Sequence, residues 1–248
     1  MNTYIINLKE STERKRYMES LLKPYEDFLN IRFIEAVNGK NFSEEQIKTI
    51  WNQTGTFQIY GRFMRNTEIG CALSHRKCCE ELLESDEKVA LVVEDDLVWQ
   101  EANVKKVLSV VEKFLYTEKP AIVLLSGDYW FIQKTKFESI VLATVCEAVC
   151  TQAYLINKNA AKKIVAMERK YLADDWYYIR KQGIDLYGVY PHIADQNRKD
   201  FQTIISTTYE GTIRKNLSLG NRVHSYYRAI VKRILANTGH KERKNFLE

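Results

Sequence analysis

Only three prolines interrupt the 248 residues, and no tract of low complexity accompanies them, which argues against long disordered linkers. No period recurs along the chain, so a solenoid or propeller is excluded. No apolar stretch reaches the roughly 20 residues that a membrane-spanning helix needs. The opening Met1-Asn2-Thr3-Tyr4-Ile5-Ile6-Asn7-Leu8 has no basic leader with a long apolar core and a small-residue cleavage site, so a cytoplasmic protein is expected. Five cysteines are an odd count, and without an export signal free thiols are the expectation. A glycine-rich loop ending in Lys-Ser or Lys-Thr is missing, and so is a nucleophile motif. Both gaps count against a phosphohydrolase or nucleotidyltransferase.

What remains is a chain of ordinary globular composition, long enough for one α/β domain with or without an appendage. Tyr4 to Leu8 reads as a strand, followed by a charged helix from Ser11 to about Lys23 that stops at Pro24. Ile31 to Glu35 reads as a second strand ending at Asn38-Gly39. The spacing then predicts a helix at Ser43 to Trp51, a loop at Gly55 to Gly61, and a long helix from Asn66 or Thr67 to about Glu84 with Glu68 in its first turn. Further strands are expected at Val89 to Val93, Ala121 to Leu125 and Val149 to Ile156, with helices at Ala102 to Phe114 and Ala160 to Met167; the stretch through Val145 carries no clear signal. Repeated βαβ order predicts a mainly parallel sheet with helices on both faces.

The sharpest feature is Glu94-Asp95-Asp96, set directly after the apolar run Val89-Ala90-Leu91-Val92-Val93. A buried strand delivers its carboxyl end to the place where open α/β sheets hold ligands. Strand alternation would lean Glu94 and Asp96 to one side and Asp95 to the other. Two carboxylates on one side suit Mg²⁺ or Mn²⁺, which keep waters and complete their shell with substrate phosphates. The plain alternative is a solvated acidic turn. Asp174-Asp175, before Trp176, are a second acidic pair; adjacent like charges raise one pKa toward the range of a general base, although the same pair can simply begin a helix. His75 shares a helical stripe with Glu68, Cys71 and Cys78 or Cys79, but four ligands from one stripe cannot surround a tetrahedral zinc.

Four blocks give the chain a family resemblance: Ile6-Asn7-Leu8 with Arg14, Glu68-Ile69-Gly70-Cys71-Ala72-Leu73-Ser74-His75, Glu94-Asp95-Asp96, and Ala153-Tyr154-Leu155-Ile156 with Ala160-Ala161-Lys162. Asp174-Asp175-Trp176 is a weaker fifth. In this order and spacing the chain resembles glycosyltransferase family 25, which includes bacterial lipopolysaccharide and lipooligosaccharide glycosyltransferases and, more distantly, collagen galactosyltransferases. It departs from the pattern at Asn38, where the family often has Asp, and at Thr67, where Gly is common. Beyond Pro191 little matches.

The resemblance implies a GT-A-like nucleotide-sugar fold and an inverting transfer of a hexose, most often galactose from UDP-galactose, with glucose next. The acceptor it implies is the saccharide of a surface glycolipid. On that reading Glu94 and Asp96 hold Mn²⁺ or Mg²⁺, Asp95 supports the site or contacts the ribose, and Asn7 and Arg14 help seat the nucleotide. Glu68 and His75 line the donor or acceptor cleft, and Asp174 or Asp175 is the base. A non-catalytic glycan-binding protein of the same fold is the other reading.

The C-terminal segment, 221–248, reads as an extension to a catalytic domain at 1–220. Val223, Tyr226, Tyr227, Ile230, Val231, Ile234 and Leu235 recur at helical spacing, with Arg222, Arg228, Lys232 and Arg233 off that stripe and Lys241, Arg243 and Lys244 beyond it. The whole chain carries a formal charge of only +5, so this end is disproportionately basic. Such a helix suits the surface of an anionic membrane, the domain core or a dimer contact. Nucleic acid is not expected, because no recognition motif accompanies the charge.

Overall fold

A computed structural model describes residues 1–100, 103–201 and 211–242. An eight-stranded sheet forms its centre. The N-terminal unit is β1 (Asn2–Asn7), α1 (Thr12–Leu22) and β2 (Asn30–Glu35). Two short helices follow, α2 (Glu44–Ile50) and α3 (Gln53–Tyr60), and then the long α4 (Asn66–Glu84). After β3 (Val89–Glu94) and the short β4 (Leu97–Trp99) come α5 (Val104–Leu115) and β5 (Ala121–Leu124). A hairpin of β6 (Tyr129–Phe137) and β7 (Ile140–Ala148) leads to β8 (Ala153–Asn157) and α6 (Lys158–Ala166). The described chain closes with α7 (Trp176–Arg180), β9 (Asp185–Tyr190), β10 (Ala194–Gln196) and α8 (Leu219–Asn237).

The sheet order is β2-β1-β3-β8-β5-β9-β7-β6, and β4 pairs separately with β10. β1 runs parallel to β2 and β3, and β5 to β9, whereas β8 and β7 run antiparallel to both of their neighbours. The expected α/β sheet flanked by helices is therefore present, with two strands reversed.

Alternation along β3 explains the layering. Val89, Leu91 and Val93 point into a core shared with Met18 and Leu22 of α1 and with Val107, Leu108 and Val111 of α5. Ala90 and Val92 point the other way, toward Cys78, Cys79 and Leu82 of α4, Ala160 and Ala161 of α6, and Trp176 of α7. A strand buried on both faces reads as a continuous apolar run, which is why this segment stood out in the sequence.

Three expectations change. Gly55 to Gly61 is a helix, not a loop: Asn52 caps it by accepting from the Gly55 amide at 2.7 Å, and Gly61, at φ +68°, ends it. The unclear stretch before Val145 is the β6–β7 hairpin. β8 starts at Ala153 and not at Val149, because Cys150 turns the chain with a φ of +76°. α5 begins at Val104; Ala102, where the sequence placed its start, lies outside the described residues, as do Arg243 and Lys244. Among the described residues no helix is long and apolar enough to cross a membrane, and all five cysteines are free.

Candidate functional site

β1 and β3 lie side by side and end together, Ile6 opposite Glu94, so Asn7 and the acidic triplet meet at one edge. β3 stops at Glu94, and Asp95 and Asp96 form a turn. The expected alternation therefore fails at this point: Arg14 Nη1 donates both to Asp95 Oδ1 at 2.7 Å and to Asp96 Oδ2 at 3.2 Å. Asn7 Nδ2 adds a bond to Asp95 Oδ2 at 2.8 Å. A buried arginine in the first turn of α1 is out of place against a helix dipole, and the two aspartates are its compensation. Asn7 and Arg14, expected to help seat the nucleotide, both bond the acidic turn.

Gln196 is held beside the turn by the β4–β10 ladder, where it pairs with Leu97. Its Nε2 donates to Asp96 Oδ2 at 2.9 Å, and the Asn197 amide donates to the Asp96 carbonyl at 2.6 Å. Among the described residues Asp96 Oδ1, which is buried, has no hydrogen-bond partner. Burial and the charge of Glu94 push the Asp96 pKa up to about 6, against the pull of Gln196 and Arg14. Burial likewise raises Asp95 despite Arg14 and Asn7.

Glu94 goes the other way. Burial opposes its charge, but His75, Thr151 and Arg14 more than offset that and hold its carboxyl below the usual range. Thr151 Oγ1 donates to Glu94 Oε1, and His75 Nε2 lies 3.4 Å from the same oxygen. His75 Nδ1 shares a hydrogen bond with Tyr154 Oη at 3.1 Å. The structure thus brings His75 to the triplet, as a buried group that orients Glu94.

Why His75 sits there is written in the block around it. A Cβ on Gly70 would lie 2.5 Å from the Val37 carbonyl oxygen, and one on Gly39 would lie 1.8 Å from that of Asn66. The two glycines let α4 lie against the segment after β2. Ser74 Oγ locks the contact, accepting from the Val37 amide at 2.8 Å and donating to the Gly70 carbonyl at 2.7 Å. Glu68 serves the same end. Its oxygens take the Arg62 fork at 2.7 and 2.8 Å and the Arg65 amide at 2.9 Å, which caps α4. These bonds hold the Glu68 carboxylate at the start of α4, the position from which it was expected to line the cleft.

The acidic pair separates into two roles. Asp175 is bound by Arg228 of α8, whose Nη2 donates to Asp175 Oδ1 at 2.9 Å while the same guanidinium forks onto Glu147 at 2.7 and 2.7 Å. Asp174 is partly buried, and burial followed by the charge of Asp175 lifts its pKa to about 6, with Glu94 adding to the rise. Backbone amides of Asp174 and Cys150 hydrogen-bond to it and temper the effect. The loop that carries it is seated by α3: Thr56 Oγ1 donates to the Lys170 carbonyl at 2.9 Å, and Tyr60 Oη accepts from the Leu172 amide at 3.2 Å. Cys78 and Cys79 lie in the core, and burial pushes the Cys79 thiol up to about 12.

Among the described residues no three His, Cys, Asp or Glu side chains form a ready metal shell. The unsatisfied Asp96 Oδ1, under repulsion from ionised Glu94, nevertheless suits a divalent cation that takes two protein carboxylates and draws its other oxygens from water and phosphate. Gln196 and Thr151 are the partners that sequence reasoning missed.

The profile of glycosyltransferase family 25 (LPS biosynthesis protein) matches residues 1–178. Human procollagen galactosyltransferase 2 is 30% identical over 169 residues, 65% of this chain and 27% of that protein. The mouse protein of the same name is 32% identical over 113 residues, 44% of this chain and 18% of the relative. The chain thus spans about a quarter or less of the length of these relatives. Among solved structures, A197 from STIV covers 75% of this chain and 80% of its own at a TM-score of 0.40 and 14% identity.

Proposed function

The chain belongs to glycosyltransferase family 25, and from that premise we propose that it is an inverting, metal-assisted hexosyltransferase that moves galactose from UDP-galactose to the saccharide of a surface glycolipid. Galactose is favoured over glucose by the procollagen galactosyltransferases among its relatives. The observation that carries the reading is the acidic turn at the end of β3, with one buried carboxylate oxygen of Asp96 that has no partner among the described residues and Asp174 close enough to feel the charge of Glu94.

In this reading Glu94 and Asp96 hold Mn²⁺ or Mg²⁺. The ion, when bound, offsets the negative charge that gathers on the departing diphosphate. Arg14, Asn7 and Gln196 fix the turn so that little reorganisation is needed as charge develops. Asp174 takes the proton of the acceptor hydroxyl as its oxygen bonds to the anomeric carbon. The bond from that carbon to the diphosphate oxygen breaks, and UDP leaves with the electron pair. A pKa of about 6 leaves Asp174 ionised at neutral pH yet basic enough to accept the proton.

UDP release from UDP-galactose, UDP-glucose and UDP-N-acetylglucosamine, with and without Mn²⁺ and with a truncated lipooligosaccharide acceptor, tests the reading. Manganese-dependent release from UDP-galactose is expected. Silence with all three donors from folded protein overturns it.

A further inference from the structure

α8 is amphipathic in the reverse sense of an ordinary surface helix. None of its residues is buried, and the side it turns to the domain is largely polar apart from the half-buried Val231 and Leu235, which the sequence places in the apolar stripe. Arg228 binds Glu147 and Asp175, His224 Nε2 bonds Tyr177 Oη at 2.8 Å, and Lys232 Nζ lies 4.9 Å from the centre of the Trp130 ring. The opposite side carries Leu219, Val223, Tyr226, Tyr227, Ile230 and Ile234, each between 52% and 77% exposed. These residues follow one another at helical spacing and form a single stripe. An apolar stripe left in water is unfavourable, and on a folded domain it marks a contact surface.

The charge around the stripe identifies what covers it. From 211 to 242 the chain has seven Lys and Arg and a single acid, Glu242, which is buried against His192. Arg228 and Lys241 are paired within the domain. Arg214, Lys215, Arg222, Lys232 and Arg233 have no carboxylate partner among the described residues. Arg222 and Arg233 flank the stripe along one edge by helical position, and Arg214 lies over the ring of Tyr226 at 5.1 Å. A second copy of this helix would bring like charges together. An anionic surface with an apolar interior meets both the stripe and its basic border.

We propose that the outer face of α8 docks on bilayers containing anionic phospholipid. The stripe enters the boundary between headgroups and acyl chains, tyrosines sit at headgroup level, and the flanking cations meet lipid phosphates. Arg228, on the inner side of the same helix, ties this surface to Asp175. The docked face is thereby tied to the loop that carries Asp174 and Asp175. The proposal does not depend on which sugar is transferred.

Flotation of the full chain with phosphatidylcholine vesicles, with and without phosphatidylglycerol, tests it. Binding is expected only with phosphatidylglycerol. The triple substitution Val223→Ser, Ile230→Ser and Ile234→Ser should weaken it by roughly a hundredfold through lost apolar burial. Lys215→Gln with Arg233→Gln, which touches neither stripe nor core, should weaken it by roughly tenfold. Since all five positions are exposed, the circular dichroism of both variants should match the parent. Equal binding to neutral and anionic vesicles, or parental binding by the triple variant, overturns the proposal. So does a dimer in sedimentation that the triple substitution dissolves without any vesicle binding by the parent; that result would assign the stripe to a second copy.

Discussion

Replacing Arg228 by Met should destabilise the protein far more than loss of a surface ion pair. The guanidinium forks onto Glu147, whose side chain is 5% exposed, and reaches Asp175, at 9%. It also stacks over Tyr177 at 4.2 Å and Tyr178 at 5.2 Å. Methionine keeps much of the volume but leaves two buried carboxylates without a counter-charge, a loss of about 3 kcal/mol for a pair this well covered. In a chain of this size that lowers the melting temperature by roughly 6–12 °C. Arg228→Lys keeps the charge and loses the planar fork, so about half the loss should remain. Adding Glu147→Gln and Asp175→Asn to Arg228→Met removes the uncompensated charges and should recover most of the stability. Urea unfolding of the four proteins measures all of this. A loss below about 1 kcal/mol for Arg228→Met, the range of exposed pairs, or no recovery in the triple variant, would refute the argument.

Gly70→Ala should destabilise although helix propensity favours alanine by about 1 kcal/mol, because the added methyl meets the Val37 carbonyl oxygen at 2.5 Å; a rise in melting temperature would show that the contact can relax. Asp96→Asn should abolish transfer yet leave the metal-free protein as stable as the parent, or more so, at pH 7. A pKa raised from 3.8 to about 6 means that the fold favours the protonated acid: that contribution is complete below pH 3.8 and is lost as pH rises through about 6, at most about 3 kcal/mol, and differential scanning fluorimetry of metal-free protein at pH 5 and pH 8 reads it. Asp174→Asn should cut kcat by roughly 10²- to 10⁴-fold with little change in donor KM. The parent's kcat should fall on the acid side with a midpoint near pH 6, and an acid limb that survives Asp174→Asn would take the base assignment away.

The order of elements around the site was legible because its strands are buried on both faces. β1 and β3 are apolar runs, α1 follows Ser11 and stops before Pro24, and α4 carries Glu68 in its first turn, although Arg65 and not Asn66 or Thr67 is its N-cap. The β6–β7 hairpin was not legible: Gln133 to Lys136 are exposed in succession, so no alternation marks that half of β6. α3 was hidden by its Thr and Gly content. It forms because Thr56 is buried, accepting from Trp51 Nε1 at 2.9 Å and donating to the loop that bears Asp174, a tertiary contact that overrides propensity. At the site itself, the strand-end position of the triplet was visible and its side-chain directions were not, since those depend on where β3 stops. Gln196 stands 100 residues from Asp96 and Thr151 stands 57 from Glu94, and neither lies in a local pattern that announces a partner.

The acidic edge also sets a condition on any phosphate-bearing donor. Glu94, Asp95 and Asp96 converge there with Arg14 as the cation bound to the turn, and Asp174 adds a further negative charge nearby. Once Asp96 loses its proton above about pH 6, a diphosphate approaching this edge meets net negative charge in a setting partly shielded from water, where repulsion is stronger than in bulk. A divalent cation reverses the sign of that interaction. It follows that metal and nucleotide should each bind more tightly in the presence of the other, and by the same factor, because linkage between two binding equilibria is reciprocal. On the proposed reading, Arg14 cannot substitute for the ion while it holds the turn, and the arginine and the cation would then be two parts of one site rather than alternatives.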